Sequence, residues 1–340
     1  MESAVVERTT VYDPTLRERS ERVERPYRLL MERMTQGQKA WGRDLTVLDE
    51  PGIAALPLAV RRAKAFEKTL LEMPIDIEQD DLIVGNTVQD GVIVRTRIAR
   101  YNTEDEIARA AARGKQIHSG TYHKTPNYED LMSKGLRGII GEIDAKLAKV
   151  GGREPSAEQQ DTLALLQAMR IECAAVTELA ARYARLAVQK AATAETEERQ
   201  AELLQIAGVC RRVPAEPPQT LHEAIQSFWF VHHALTCTES LLSCGRIDQY
   251  LHPAYARERA AGTLSLERAQ ELIDCLWLRF CDRTQVNREH FVLQEGTQPE
   301  QTAAGALDMP GRIREDAASP WVAGHRKRVI LGRDQADAIN

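Results

Sequence analysis

"LHEAIQSFWFVHHAL" (Leu221–Leu235) sets Phe228, Trp229 and Phe230 in one uninterrupted run, in a chain whose residues are only 5% aromatic. At ~100° per residue, three consecutive rings cover roughly 300° of a helix surface. A helix coated so widely has to be enclosed on most sides. The stretch therefore predicts the central helix of a large fold. A metal reading competes with it, because His222-Glu223 begins an H-E-x-x-H zinc pattern. The position for the second imidazole is Gln226, however, and His232 and His233 follow only about three turns further on. No metal site is expected here, and the histidine pair is expected to put one ring in the core and one at its edge.

Composition narrows the class. The chain has 340 residues, 43% hydrophobic and 28% charged, with six cysteines and a net charge of −5. Both signs are interleaved, so there is no clustered basic face of the kind a nucleic-acid groove needs. The one local basic run, His325 to Arg328, reads as a solvated turn. No stretch approaches the ~18 consecutive apolar residues of a membrane span. Met1 to Thr10 contains no apolar core of a secretory signal. The cysteines form no C-x-x-C pair and read as reduced, buried thiols. A cytoplasmic location is the expectation.

Hydrophobic periodicity is mostly that of helices. Residues 1–50 read as a charge-rich arm with one or two short helices and turns at Asp13-Pro14 and Arg25-Pro26. Leu58 to Met73 is a helix stopped by Pro74, which pushes the preceding residue out of the α region. "GVIVRTRI" (Gly91–Ile98) alternates with period 2 and predicts a short strand. Asn127 to Val150 returns to helical spacing. Ser156 with Gln159 forms a capping box that opens a helix of about thirty residues, roughly 45 Å long at 1.5 Å per residue. Thr196 to Val209 is the next helix, "VPAEPPQT" a proline-broken connector, and Leu264 to Cys281 a last amphipathic helix capped by Ser265. From Asp282 the periodicity disappears, and only "RVILG" (Arg328–Gly332) looks like a strand.

Two segments could carry chemistry. "YHKTPNYEDLMSKGL" (Tyr122–Leu136) holds His123 just before a helix start, where an imidazole could polarise a substrate oxygen; a surface histidine beside a cap is the plainer reading. "SCGRIDQYLHPAY" (Ser243–Tyr255) holds Arg246 and Asp248, read either as a charge pair pinning a loop or as a polar loop lining a cavity, with Pro253 limiting the helix that follows. No G-x-G-x-x-G, G-x-x-x-x-G-K-[ST] or G-x-S-x-G occurs, so dinucleotide, P-loop and α/β-hydrolase readings have no support.

Taken together, "PLAVRRAKAFEKTLLEMPIDIEQDDLIVGN", "TPNYEDLMSKGLRGII", "CRRVPAEPPQTLHEAIQSFWFVHHAL", "GRIDQYLHPAY" and "AQELIDCLWLRF" follow the order seen in glycyl radical enzymes, the family of pyruvate formate-lyase and the glycerol and propanediol dehydratases. The resemblance covers roughly residues 50 to 281. It implies a ten-stranded α/β barrel wrapped by helices, of which this sequence holds an incomplete, mostly α, amino-terminal part with a few short strands. It implies three regions: an arm (1–50), the helical part of a pyruvate formate-lyase-like domain (51–281) and a divergent tail (282–340). Family chemistry uses a glycine-centred radical, installed by a separate radical S-adenosylmethionine activating enzyme, and a cysteine thiyl radical that attacks the substrate. Neither the cysteine loop nor the glycine loop is found in this sequence, so no catalytic residue is identified. "WVAGHR" (Trp321–Arg326) shares only Val-Ala-Gly with the glycine loop.

The resemblance makes His123 a substrate-contact candidate, because a substrate-contacting histidine stands in a comparable loop in the diol-dehydratase branch. Arg246 and Asp248 are cavity-lining or structural candidates. The expected partners are a small-molecule substrate for the intact enzyme, the activating enzyme and a second copy of the chain, with no nucleic acid and no membrane. No bound cofactor is expected. The expected function is the amino-terminal portion of an anaerobic glycyl radical lyase, dehydratase, decarboxylase or acyltransferase, inactive alone. The alternative is a non-catalytic helical scaffold derived from that family.

Overall fold

The computed structural model describes residues 20–34, 39–42, 44–86, 88–89, 92–114, 123–150, 155–237 and 241–281. In chain order the elements are α1 (Glu21–Met34), β1 (Lys39–Trp41), α2 (Leu58–Glu72), β2 (Val88–Gln89), β3 (Val92–Thr96), α3 (Glu104–Ala112), β4 (His123–Lys124), α4 (Tyr128–Val150), α5 (Ala157–Ala191), α6 (Glu197–Arg212), α7 (Leu221–Thr236), β5 (Leu241–Leu242), α8 (Ile247–Ala261) and α9 (Leu266–Cys281). The fold is mostly helical, as the periodicity predicts. The strands make two small groups. β3 runs between a parallel β1 and an antiparallel β2, and β4 pairs with β5 in parallel. Among the described residues these strands close no barrel. "WVAGHR" and "RVILG" lie outside the described residues.

The long helix α5 starts where the capping box predicts: the Ser156 hydroxyl accepts from the Gln159 amide, and the Gln159 side chain accepts from the Ser156 amide. It packs against α2, α4 and α6, while α7 runs between α4, α5, α6, α8 and α9. Phe228 and Phe230 are fully buried and Trp229 nearly so, so α7 is the central helix that its three aromatics require. His232 and His233 are both buried. Neither ring lies at an edge, because the aromatic surround of α7 extends to its last turn.

Two proline expectations are corrected. Pro26 lies inside α1 and is no turn, and Pro253 lies inside α8 without stopping it. In each case one backbone bond is lost, and burial of apolar residues on the same helix offsets it. Val23 and Leu30 of α1 pack on Leu278 of α9. Leu251 and Ala254 of α8 are buried beside Pro253. α4 breaks at Gly135, where the amides of Leu136 and Arg137 leave the helix and donate to Pro214 and Ala215 of the proline connector at 2.8 and 2.9 Å.

The segment from Met73 to Asn86 is irregular, turns at 79–80 and enters the core from residue 81 onward, and among the described residues no strand pairs with it. Buried backbone groups must still find partners, and here side chains supply them. Arg182 donates to the Met73 carbonyl (2.8 Å), Lys190 to Ile77 (2.6 Å), and Arg199 to Glu78 and Asp81 (2.7 and 3.0 Å). From α7, His222 Nε2 donates to the Leu82 carbonyl (2.8 Å), Gln226 exchanges two bonds with Val84 (2.9 and 2.6 Å), and Trp229 Nε1 donates to the Gly85 carbonyl (2.8 Å). Positions 222, 226 and 229 share one helix face, so α7 reads the segment as a neighbouring strand would. Tyr183 of α5 closes the series on the Asn86 carbonyl at 2.6 Å. Asp81, buried, takes a charge-assisted bond from Arg279 of α9 at 2.6 Å.

Two expectations follow. Gly85 has a φ of +125°, and a Cβ there would stand 2.8 Å from Trp229 Cδ1. Gly85→Ala should lower the unfolding free energy in urea by about 1–3 kcal/mol, the range for one strained backbone residue; an unchanged midpoint would contradict the close packing. The second concerns pH. His222 donates through Nε2, so a proton on the buried Nδ1 would add an unsolvated charge, and burial lowers its pKa from 6.5 to about 4. Between those values the unfolded chain binds more protons than the folded one, so stability falls as pH drops from about 6.5 to about 4. The loss in urea midpoint on acidification through this window should be smaller in His222→Gln than in the parent chain.

Candidate active-site face

β4 and β5 are each two residues long, and their pairing is what brings the candidate residues together. The His123 backbone lies opposite Leu241 and Lys124 opposite Leu242, and the Ser243 amide then donates to the Lys124 carbonyl at 2.8 Å. The loop after β5 leads directly to Arg246 and Asp248 at the start of α8. Two segments about 120 residues apart in the sequence thus meet along one edge. The side-chain contacts of His123 lie outside the described structure.

Gly245 shows how closely the loops approach. Its φ is +59°, and a Cβ there would meet the Tyr250 hydroxyl at 2.5 Å and Thr125 Cγ2 at 3.0 Å. The Tyr250 hydroxyl accepts from the Arg246 amide at 3.3 Å, which ties the loop back onto α8. Arg246 and Asp248 pair with each other through two bonds of 3.0 and 2.7 Å. Partial burial opposes ionisation of Asp248, but the Arg246 bonds outweigh it and hold the carboxyl below its ordinary range. The Arg246 side chain is 60% exposed, so the guanidinium keeps a face open to an incoming anion or hydroxyl group. Asp248 also sits in the first turn of α8, where a carboxylate complements the helix dipole.

Beneath this edge lies a layer of aromatic rings. Tyr128, the first residue of α4 and 1% exposed, hydrogen-bonds through its hydroxyl to His232 Nδ1 of α7 at 2.9 Å. Its ring lies 5.8 Å from that of Tyr250 and 4.5 Å from that of Phe228. Sequence reasoning marked both His232 and Tyr128's segment without joining them. The signal was thin: an aromatic at a helix start and a histidine in a distant helix. A cleft of about 350 Å³ opens next to the layer, lined by Glu129, Met132, Gln249, Tyr250, Pro253 and Arg257 among others. Arg246 and Asp248 are not among its lining residues.

Four of the described cysteines are held in the thiol form by burial. Burial pushes the thiol of Cys173 up to about 11 and that of Cys275 up to about 12, and raises Cys210 and Cys244 as well. No group of three or more metal-ligating side chains occurs among the described residues. His222, the one part of a zinc pattern, serves the Leu82 carbonyl. No described helix is long and apolar enough to cross a membrane.

Known proteins are similar to this chain in sequence and fold. Residues 94–313 match the family model described as pyruvate formate lyase-like. A trans-4-hydroxy-L-proline dehydratase from Clostridioides difficile is 35% identical over 172 residues, which are 50% of this chain and 22% of that protein. A (2S)-3-sulfopropanediol dehydratase from Klebsiella oxytoca is 29% identical over 232 residues, 67% of this chain and 28% of that one. Among solved structures, a 1,2-propanediol-dehydrating protein from Roseburia inulinivorans superposes with a TM-score of 0.64 at 28% identity, over 80% of this chain and 38% of that chain. The chain therefore spans well under half the length of these relatives. With the family model matched over most of its length, this chain belongs to the pyruvate formate lyase-like family.

Proposed function

We propose that this chain supplies the substrate-facing helical wall of a glycyl radical lyase or dehydratase that acts on a small hydroxylated molecule. The observation that carries this reading is the β4–β5 pairing, which sets His123 beside the loop of Arg246 and Asp248. Residues of these types, brought to one edge by their backbones, are of the kind that hold hydroxyl and acidic groups of a substrate while a radical works on an adjacent carbon. The names of the relatives agree with that class: hydroxyproline, isethionate, sulfopropanediol and propanediol are all small and hydroxylated.

In this reading, residues 51–281 are the helical part of the domain and residues 1–50 an arm laid on it. The tail, 282–340, is a separate divergent region. The radical would come from a glycine, charged by a radical S-adenosylmethionine activating enzyme, and a second copy of the chain would complete a homodimer. Neither the family's cysteine loop nor its glycine loop is found in this sequence, which shares only Val-Ala-Gly of the latter at 322–324. Thiyl chemistry is therefore assigned to residues other than those read here, and the present residues bind and orient. His123 contacts the substrate, while Arg246 and Asp248 fix the loop and attract its polar end.

Two outcomes are expected. Anaerobic incubation of the chain with an activating enzyme and S-adenosylmethionine should give no glycyl doublet by electron paramagnetic resonance; a doublet would place a radical glycine in this sequence and overturn that assignment. Saturation-transfer NMR against glycerol, 1,2-propanediol, trans-4-hydroxy-L-proline and isethionate should show contact with at least one, weakened in His123→Ala. Failure of all four to bind would sink the wall reading and favour a non-catalytic scaffold.

A further inference from the structure

Tyr128 and His232 have no part in the substrate edge, yet they form a polar contact sealed inside an aromatic layer. Tyr128 is 1% and His232 5% exposed. Among the described residues the phenol has one hydrogen-bond partner, His232 Nδ1 at 2.9 Å. In the tautomer that accepts from the phenol, the imidazole carries its own proton on Nε2. Burial raises the Tyr128 pKa well above the ordinary value, which disfavours loss of the proton to solvent and leaves the ring it touches as the nearest base.

The rings around the pair are not arranged at random. The Tyr250 ring, under the Arg246 loop, lies 5.8 Å from Tyr128. His232 stacks on Trp229 at 5.8 Å and 22°. Trp229 meets Phe280 edge-on at 5.2 Å, and Phe280 lies 5.4 Å from Trp277 on α9. Tyr250 and Trp277 are both partly exposed. The layer is thus a continuous row from the candidate substrate edge to Trp277 of α9, with tyrosine and tryptophan, the most easily oxidised aromatic side chains, at both ends and in the middle.

We propose that Tyr128 and His232 form a proton-coupled redox site, fed through this row. A one-electron oxidant takes an electron from Tyr128; the phenol O–H bond breaks as an N–H bond forms at His232 Nδ1. The products are a neutral tyrosyl radical, an imidazolium and the reduced oxidant. Return of one electron restores both groups, because the proton never leaves the contact. Such a site would take up a stray oxidising equivalent before it damages the substrate edge. That use rests on the radical chemistry proposed above; the redox behaviour does not, and can be tested without turnover.

The test is flash photo-oxidation of the full chain with photogenerated ruthenium(III) tris-bipyridine, read by freeze-quench electron paramagnetic resonance. The expected result is a tyrosyl radical that is largely lost in Tyr128→Phe. In His232→Asn the side-chain oxygen can still accept the phenol bond but cannot take the proton, and radical formation should slow about tenfold, the effect of about 1.4 kcal/mol on the barrier. Should either variant misfold, ¹⁵N-histidine labelling of the parent chain gives an independent reading: the radical should couple to a histidine nitrogen. A tyrosyl signal without that coupling, or one of undiminished yield in folded Tyr128→Phe, would overturn the proposal.

Discussion

Everything in this fold depends on how one irregular stretch of backbone is kept from water. Residues 81–86 lie in the core and, among the described residues, 73–86 has no strand partner; each buried carbonyl or amide there would cost roughly 1–3 kcal/mol if left unpaired. Arg182, Lys190 and Arg199 satisfy the outer half, and His222, Gln226, Trp229 and Tyr183 satisfy the inner half. Because α5, α6 and α7 all reach the same segment, their relative positions are fixed by it. Packing of the apolar faces then follows from that framework.

The candidate substrate edge inherits its geometry from the same source. Trp229 grips Gly85 and stacks with its other face toward His232. His232 holds Tyr128, and Tyr128 begins α4 directly after β4. Tyr250 lies against Tyr128 and ties down the loop of Arg246. The chain of contacts runs from a buried backbone segment to the strand pair that carries His123.

Much of this was legible beforehand, for physical reasons that can be named. Helices announce themselves through periodicity and caps; Ser156 with Gln159 and Ser265 with Arg268 behave as their spacing requires. The aromatic coat of α7 demanded enclosure and received it. What stayed hidden was long-range pairing. Gln226 looked like a failed zinc ligand, whereas its amide is the one side chain that can both give and take a bond at Val84. β4 and β5 are too short to show any alternation. Thr103 and Glu106 form a capping box for α3 that was readable as T-x-x-E and passed over. The prolines misled because burial of Val23, Leu30, Leu251 and Ala254 on their helices offsets the lost backbone bond.

The account stands or falls on whether side chains hold the segment 73–86 as firmly as a sheet would. Amide hydrogen exchange at Val84 measures this most directly, since its N–H is bonded to Gln226 Oε1 and to no backbone carbonyl. Exchange at that amide should occur only through global unfolding, with an opening free energy equal to that of the central positions of α7. Exchange at the rate of a surface loop would contradict the account.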